Sequence, residues 1–158
     1  MNTNFETTKS KEEWYTPKKI LDALGIFDLD PCSPKKPYNK IANNIYTKED
    51  NGLDKKWSGS VYCNPPYGKQ TKLWLEKCAD HNNCIALVFA RTETKMFFNQ
   101  VWNKANGIFF IKGRLKFLNE FNNIGGSAGA PSVLISYGEQ IKKLEKLEKQ
   151  IEGKFLKL

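Results

Sequence analysis

Histidine and arginine are nearly missing from this chain. It has one histidine, His81, and all but two of its 25 basic residues are lysine, the exceptions being Arg91 and Arg114. Four cysteines are present, Cys32, Cys63, Cys78 and Cys84, but no two of them form a C-x-x-C pair. Structural zinc needs closely spaced sulfur and nitrogen ligands, so no metal is expected. In a reducing compartment such thiols read as small buried apolar groups. No apolar run approaches the ~18 residues of a membrane span. The polar opening, residues 1–13, lacks the apolar stretch of a secretion signal. These absences make the cytoplasm the expected location, with no membrane span and no membrane partner expected. No internal repeat is present, which excludes solenoids and propellers.

What is there suits one compact domain: 158 residues, 40% of them hydrophobic and 27% charged, too apolar for wholesale disorder. The net charge of +8 and pI near 9.3 favour a polyanionic partner, nucleic acid before anionic membrane. A lysine-rich proteome is the plainer alternative. The chain divides into a polar lead-in over 1–13, a domain over 14–138, and a Lys/Glu-rich helix and tail over 139–158.

Pattern along the chain alternates between strand and helix. Thr16-Pro17 opens a helix over 18–24 that Gly25 stops, and a short strand over 26–29 ends at Asp30-Pro31. Residues 33–44 read as a lysine-bearing loop, 45–47 as a short strand and 48–56 as an acidic loop. A strand over 61–63 runs into Asn64-Pro65-Pro66-Tyr67-Gly68. Helical spacing covers 72–81 and 94–105, and the unbroken apolar run 84–90 predicts a strand buried on both faces. Further strands fall at 107–111, 114–118 and 132–137, the last two flanking a glycine-rich stretch, 122–129. The order predicts an open α/β sheet with crossover helices, ending in an antiparallel strand pair. In such sheets ligands bind at the carboxyl ends of strands, where both Asp30-Pro31 and the Asn64 loop fall.

The Asn64 loop carries chemistry. The lone pair of an exocyclic amine is delocalised into its ring, so the nitrogen is a weak nucleophile. Two acceptors that take both amino hydrogens pull the nitrogen towards a tetrahedral shape and aim its lone pair. The Asn64 side-chain oxygen and the Pro65 carbonyl supply such a pair, on a loop stiffened by Pro65 and Pro66. Tyr67 offers a ring to stack on a planar acceptor, and Gly68 permits close approach. A plain turn at a strand end is the structural alternative. The tetrapeptide specifies an amine or amide and not adenine by itself. Similar loops serve protein glutamine-amide methylation, while those acting on cytosine N4 more often begin with serine.

Beyond this loop the chain resembles the small phage-type DNA N6-adenine methyltransferases. The resemblance runs through Glu13 to Pro17, Phe27 to Cys32, Asp50 to Leu53 with Trp57, Val61 to Gly68, Ala86 to Thr94, Gly113 to Phe117, and Ala130 to Ile135, in the family's order. It implies a Rossmann-like class I methyltransferase fold, with a mostly parallel central sheet, flanking helices and a C-terminal antiparallel pair. It further implies S-adenosylmethionine as cofactor, double-stranded DNA as partner and adenine N6 as acceptor, in a phage or prophage enzyme of DNA modification. By similarity, Tyr15, Thr16 and Pro17 approach the methionine end of the cofactor. Asp30, Pro31 and Cys32 stand at the cofactor loop, with Asp30 facing the ammonium, and Glu49 and Asp50 are the two candidates for the ribose. The glycine-rich loop usual after the first strand of this superfamily is replaced by Asp-Pro-Cys-Ser-Pro. The remaining readings are a methyltransferase acting on protein amides and a DNA-binding module without catalysis.

Several residues have two readings each. Arg91 and Thr92 contact DNA phosphate or form a helix cap, with Thr94 as the other capping candidate. Phe117 forms the second wall of a base pocket opposite Tyr67, or an ordinary core ring. Arg114 and Lys69 are candidate DNA contacts, together with lysines 35, 36, 40, 55, 56 and 72, each of which is by default solvated surface. Residues 122–129 enter a DNA groove or form a simple loop. Ile141, Leu144, Leu147 and Ile151 make one apolar face that packs on the sheet or supports a weak homodimer, the expected alternative to a monomer.

Overall fold

The structure, a computed structural model, describes residues 15–37, 39–119 and 124–158. The lead-in over 1–13, residues 13 and 14 of the first resemblance block, and residues 122 and 123 of the glycine-rich stretch lie outside them.

Seven strands form one mixed sheet in the order β2-β1-β3-β4-β8-β5-β9. Strands β1 (Phe27–Asp30), β2 (Ala42–Ile45), β3 (Val61–Cys63) and β4 (Asn83–Phe89) are mutually parallel. Strand β8 (Ser132–Gly138) is antiparallel to β4 along its whole length, and β5 (Gly107–Ile111) is antiparallel to β8, so β5 again runs with β4. Strand β9 (Gly153–Lys157) closes the far edge, antiparallel to β5. A separate hairpin pairs β6 (Lys116–Leu118) with β7 (Ile124–Ser127).

Helices cover both faces, because the central strands are apolar on both sides. On one face α2 (Thr71–His81), α3 (Lys95–Phe97) and the turn that follows it bury Trp74, Leu75, Cys78, Phe97 and Val101 against Cys84, Ala86, Val88 and Val133. On the other, α1 (Lys18–Leu24) and α4 (Ile141–Leu144) bury Ile20, Leu24 and Leu144 against Tyr62, Ile85, Leu87, Phe109 and Leu134. At ~25 cal/mol per Å² of apolar surface, each such large side chain contributes roughly 1.5–3 kcal/mol.

Four expectations change. The edge strand β2 begins at Ala42, inside the stretch read as loop, because its backbone adds in parallel to β1 although three of its four residues are exposed. The second antiparallel strand does not pair with 114–118: β8 inserts between β4 and β5, and β6 instead pairs with β7, a strand inside the glycine-rich stretch. The expected helix over 94–105 widens after Phe97 into a π-helical turn, Phe98–Trp102, where the Tyr137 hydroxyl donates to the Gln100 carbonyl at 2.7 Å. The expected C-terminal helix is instead α4, a 3₁₀ turn (Leu147–Lys149) and β9. Its apolar face is nevertheless real: Leu144, Leu147 and Ile151 are buried in the core, which leaves that face to the sheet.

Candidate active site

Parallel β1, β3 and β4 end side by side, which gathers Asp30, Asn64 and Arg91 at one end of the sheet. Strand β3 is only three residues long and fully buried, so it delivers Asn64 from a fixed base. Beyond it Gly68 has φ of +122°, which favours glycine, and the Thr71 hydroxyl donates to the Pro66 carbonyl at 2.7 Å. The loop is therefore clamped between β3 and the first turn of α2.

Asn64 Nδ2 donates to Thr16 Oγ1 at 3.3 Å, and Thr16 Oγ1 lies 2.9 Å from the Tyr62 hydroxyl. The Asn64 side-chain oxygen, Oδ1, is buried with no hydrogen-bond partner. Among the described residues nothing donates to the Pro65 carbonyl either. A buried acceptor left unpaired costs about 1–3 kcal/mol. Asn64 Oδ1 and the Pro65 carbonyl are thus two unpaired acceptors on adjacent residues.

Tyr67 is half-buried. Its ring stacks on Phe89 at 4.1 Å with planes 11° apart, and meets Phe117 edge to face at 6.3 Å. Its hydroxyl is buried without a partner, and burial raises its pKa above the usual phenol value. Phe117 is itself a buried core residue. Tyr67 and Phe117 are thus in contact in this structure, with no base-wide gap between them. Phe89 escaped the sequence reading, as did Tyr62. For Phe89 the available signal was its place as the last residue of β4, beside the loop that follows β3. Tyr62 stands two residues before Asn64, on the same side of an extended strand.

On the cofactor side, Asp30 is 4% exposed. Its carboxyl accepts the Cys32 backbone N–H at 3.0 Å, and burial still pushes its pKa up to about 7. Burial likewise pushes the Cys32 thiol up to about 12, so this cysteine is a neutral thiol beside the loop and no nucleophile. Pro31 is packed so closely under Gly52 that a Cβ there would meet the Pro31 carbonyl oxygen at 2.0 Å. Tyr15 is buried and pairs with Leu118 of the hairpin through backbone bonds of 2.8 and 3.0 Å. Pro17 caps α1 and lies next to Thr16. Glu49 and Asp50 are exposed and farther along the loop after β2. Glu49 uses one carboxylate oxygen on Lys35 and the other on Thr47, whereas both Asp50 bonds, from the Thr47 N–H and hydroxyl, fall on Oδ2. Its own backbone N–H, then Thr47 and Lys35, hold the Glu49 carboxyl below its usual range, and the Thr47 N–H and hydroxyl do the same for Asp50.

Lys69, Arg91 and Arg114 are exposed on the segments that follow β3, β4 and β5. Arg91 lies over the Phe89 ring at 5.9 Å. Thr94, not Thr92, caps α3, accepting the Phe97 N–H at 3.2 Å, while the Thr92 carbonyl accepts from Trp102 Nε1 at 3.0 Å. Arg114 donates to the Ala128 carbonyl at 3.1 Å, across the base of the hairpin. Lys35 is paired with Glu49 at 3.1 Å. Among the described residues no group of His, Cys, Asp and Glu is placed to hold a metal ion, and no helix is long and apolar enough to cross a membrane.

No curated protein and no solved structure matches the chain. The sequence model of one family does, described as DNA N-6-adenine-methyltransferase (Dam), and it covers residues 3–148 of the 158, a span that includes every site residue above. The strand-end loop with its two unpaired acceptors and this match over most of the length agree: the chain belongs to the DNA N-6-adenine-methyltransferase (Dam) family.

Proposed function

We propose that this chain transfers a methyl group from S-adenosylmethionine to N6 of an adenine extruded from double-stranded DNA, at a specific site. The observation that carries the reading is the buried, unpartnered Asn64 Oδ1 beside the Pro65 carbonyl on a clamped loop. In the productive complex these two oxygens accept the two N6 hydrogens and hold the nitrogen lone pair towards the methyl group. No covalent enzyme intermediate forms. Tyr67, backed by Phe89, presents the stacking face for the base, and Phe117 borders it. Opening the pocket requires the Tyr67–Phe117 edge contact to part.

The residues present fit the cofactor. A buried carboxyl with its pKa pushed up to about 7 is a site that an ammonium group would restore to the ionised state. Asp30 would hold that end with Tyr15, Pro17, Pro31 and Cys32 around it. Asp50 is the better placed of the two ribose candidates, since among the described residues both of its bonds fall on one oxygen and leave the other open. When bound, S-adenosylmethionine supplies an electrophilic methyl group on a sulfonium centre. The fold suits this reading: four parallel strands with an antiparallel strand inserted before the last strand of that direction is an arrangement of the Rossmann-like class I kind. DNA would be gripped through the exposed Lys69, Arg91 and Arg114 and the segment at Thr92, in keeping with the net charge of +8.

The test is transfer of tritium-labelled methyl to unmethylated duplex DNA, with a protein extract as the competing acceptor. Label in DNA supports the reading. Label only in protein would establish amide methylation in its place. Asn64→Ala should abolish transfer while a gel shift still detects DNA binding. Unchanged transfer by that variant would refute the assigned role.

A further inference from the structure

Asn64 ends a hydrogen-bonded chain of three side chains drawn from two distant segments. Tyr62 and Asn64 are two residues apart on β3 and its extension, so period-two alternation puts them on one side of the sheet. Thr16, just before α1, spans them: 2.9 Å to the Tyr62 hydroxyl and 3.3 Å to Asn64 Nδ2. Tyr62 is rigid. It is 2% exposed, its strand is paired on both sides, and its ring packs on Phe27 at 5.7 Å. Thr16 is 6% exposed.

An asparagine amide has nearly the same shape after a half-turn about its last bond, yet the half-turn exchanges an acceptor for two donors. With Oδ1 outward, Asn64 accepts from an amine. With Nδ2 outward, a donor faces a donor and the site is useless. The inner side of the amide therefore decides function. A lone hydroxyl there would be indifferent, because it can donate as readily as accept. A hydroxyl anchored by a rigid partner and accepting from Nδ2, as Thr16 does here, favours the Nδ2-inward state.

We propose that Thr16 and Tyr62 are positioning residues for Asn64: the Tyr62 hydroxyl holds the Thr16 hydroxyl in place, Thr16 Oγ1 accepts from Nδ2, and Oδ1 is thereby turned towards the acceptor amine. The inference rests on the acceptor role of Asn64 given above. It gives the Thr16 hydroxyl a role on the catalytic loop, besides the cofactor contact expected from the resemblance.

The experiment is steady-state methyl transfer to duplex DNA by wild type, Thr16→Val, Thr16→Ser and Tyr62→Phe, with cofactor affinity measured separately by calorimetry. Thr16→Val keeps the shape and loses the acceptor, so kcat should fall about 30- to 100-fold, the scale of a misplaced catalytic group. Thr16→Ser should hold kcat within about 3-fold, and Tyr62→Phe should lower it about 10-fold by removing the hydroxyl that holds Thr16 in place. Cofactor affinity and the KM for DNA should stay within about 2-fold throughout, since the change acts on the reacting geometry alone. Unchanged kcat in Thr16→Val and Tyr62→Phe overturns the proposal, and so does lost cofactor affinity in Thr16→Val with kcat intact. A wild type that binds cofactor yet leaves no N6-methyladenine fails the underlying reading instead. Should Thr16→Val not fold, the contrast between Tyr62→Phe and Thr16→Ser carries the same decision.

Discussion

Replacing Asp30 with asparagine should make stability nearly independent of pH across the range in which the wild type loses it. The wild-type carboxyl is 4% exposed and has one hydrogen bond, from the Cys32 N–H at 3.0 Å. Burial moves its pKa from 3.8 to about 7. A folded-state pKa raised for an acid means that the folded chain keeps a proton the unfolded chain has already released. Stability is therefore fully present below about pH 4, falls as pH rises towards 7, and levels off above it. A shift of about 3 units corresponds to about 4 kcal/mol, an upper figure because water entering at the strand end lowers it. In a domain of this size that is a fall in Tm of about 8–15 °C. Asparagine has the same shape, still accepts the Cys32 N–H through Oδ1, and carries no charge to desolvate. Thermal melts of both proteins from pH 5 to pH 8.5 check this, because every other titrating group is shared and cancels in the difference. The variant should match wild type below about pH 4, lead it by roughly 1.5 kcal/mol at pH 5, and lead it by about 4 kcal/mol at pH 8. Adding S-adenosylhomocysteine should reverse the order at pH 8 if Asp30 has its proposed role, because the ligand's ammonium would then pair with the wild-type carboxylate alone. A Tm difference that stays constant over the whole range would refute the assignment of a protonated, cation-seeking carboxyl.

Two further perturbations probe the same end of the sheet. Gly52→Ala should lower stability by about 2–3 kcal/mol, because the new methyl would lie 2.0 Å from the Pro31 carbonyl oxygen and something in the backbone must shift. It should weaken cofactor binding at the same time, and a melt within a degree of wild type would contradict the packing described. Tyr67→Phe should raise stability by about 1 kcal/mol, since it deletes a buried hydroxyl with no partner and keeps the stack on Phe89. A loss of stability on denaturant unfolding would show that the hydroxyl is paired after all.

The parts of the fold that sequence revealed are those decided locally. The apolar run 84–90 became β4, the Asn64 loop followed a buried strand as expected, and α1 spans the expected residues. The rest was settled by partners distant in sequence. Residues Ala42–Ile45, with two asparagines and one buried side chain, carry little strand signal, and they become β2 only because β1 offers an open edge. The apolar face at 141–151 has helical spacing and is buried. Even so, the chain leaves the helix early, and β9 then pairs with β5, helped by Gly153, where a Cβ would meet the Phe110 carbonyl at 2.4 Å. Within the site, the motif itself exposed Asn64 to Tyr67. Tyr62 and Phe89 looked like ordinary strand residues, and only the register of β3 with β4 and the return of Thr16 to the strand end bring them into play.

The most direct test of the central claim, that Asn64 and Pro65 direct methylation to adenine N6, is mass spectrometry of nucleosides. Unmethylated duplex DNA is treated with S-adenosylmethionine and either wild-type protein or Asn64→Ala, then digested to nucleosides. The account predicts N6-methyladenine from the wild type, no N4-methylcytosine, and neither product from Asn64→Ala. N6-methyladenine at wild-type levels from Asn64→Ala, or none from a wild-type protein that binds the cofactor, would contradict it.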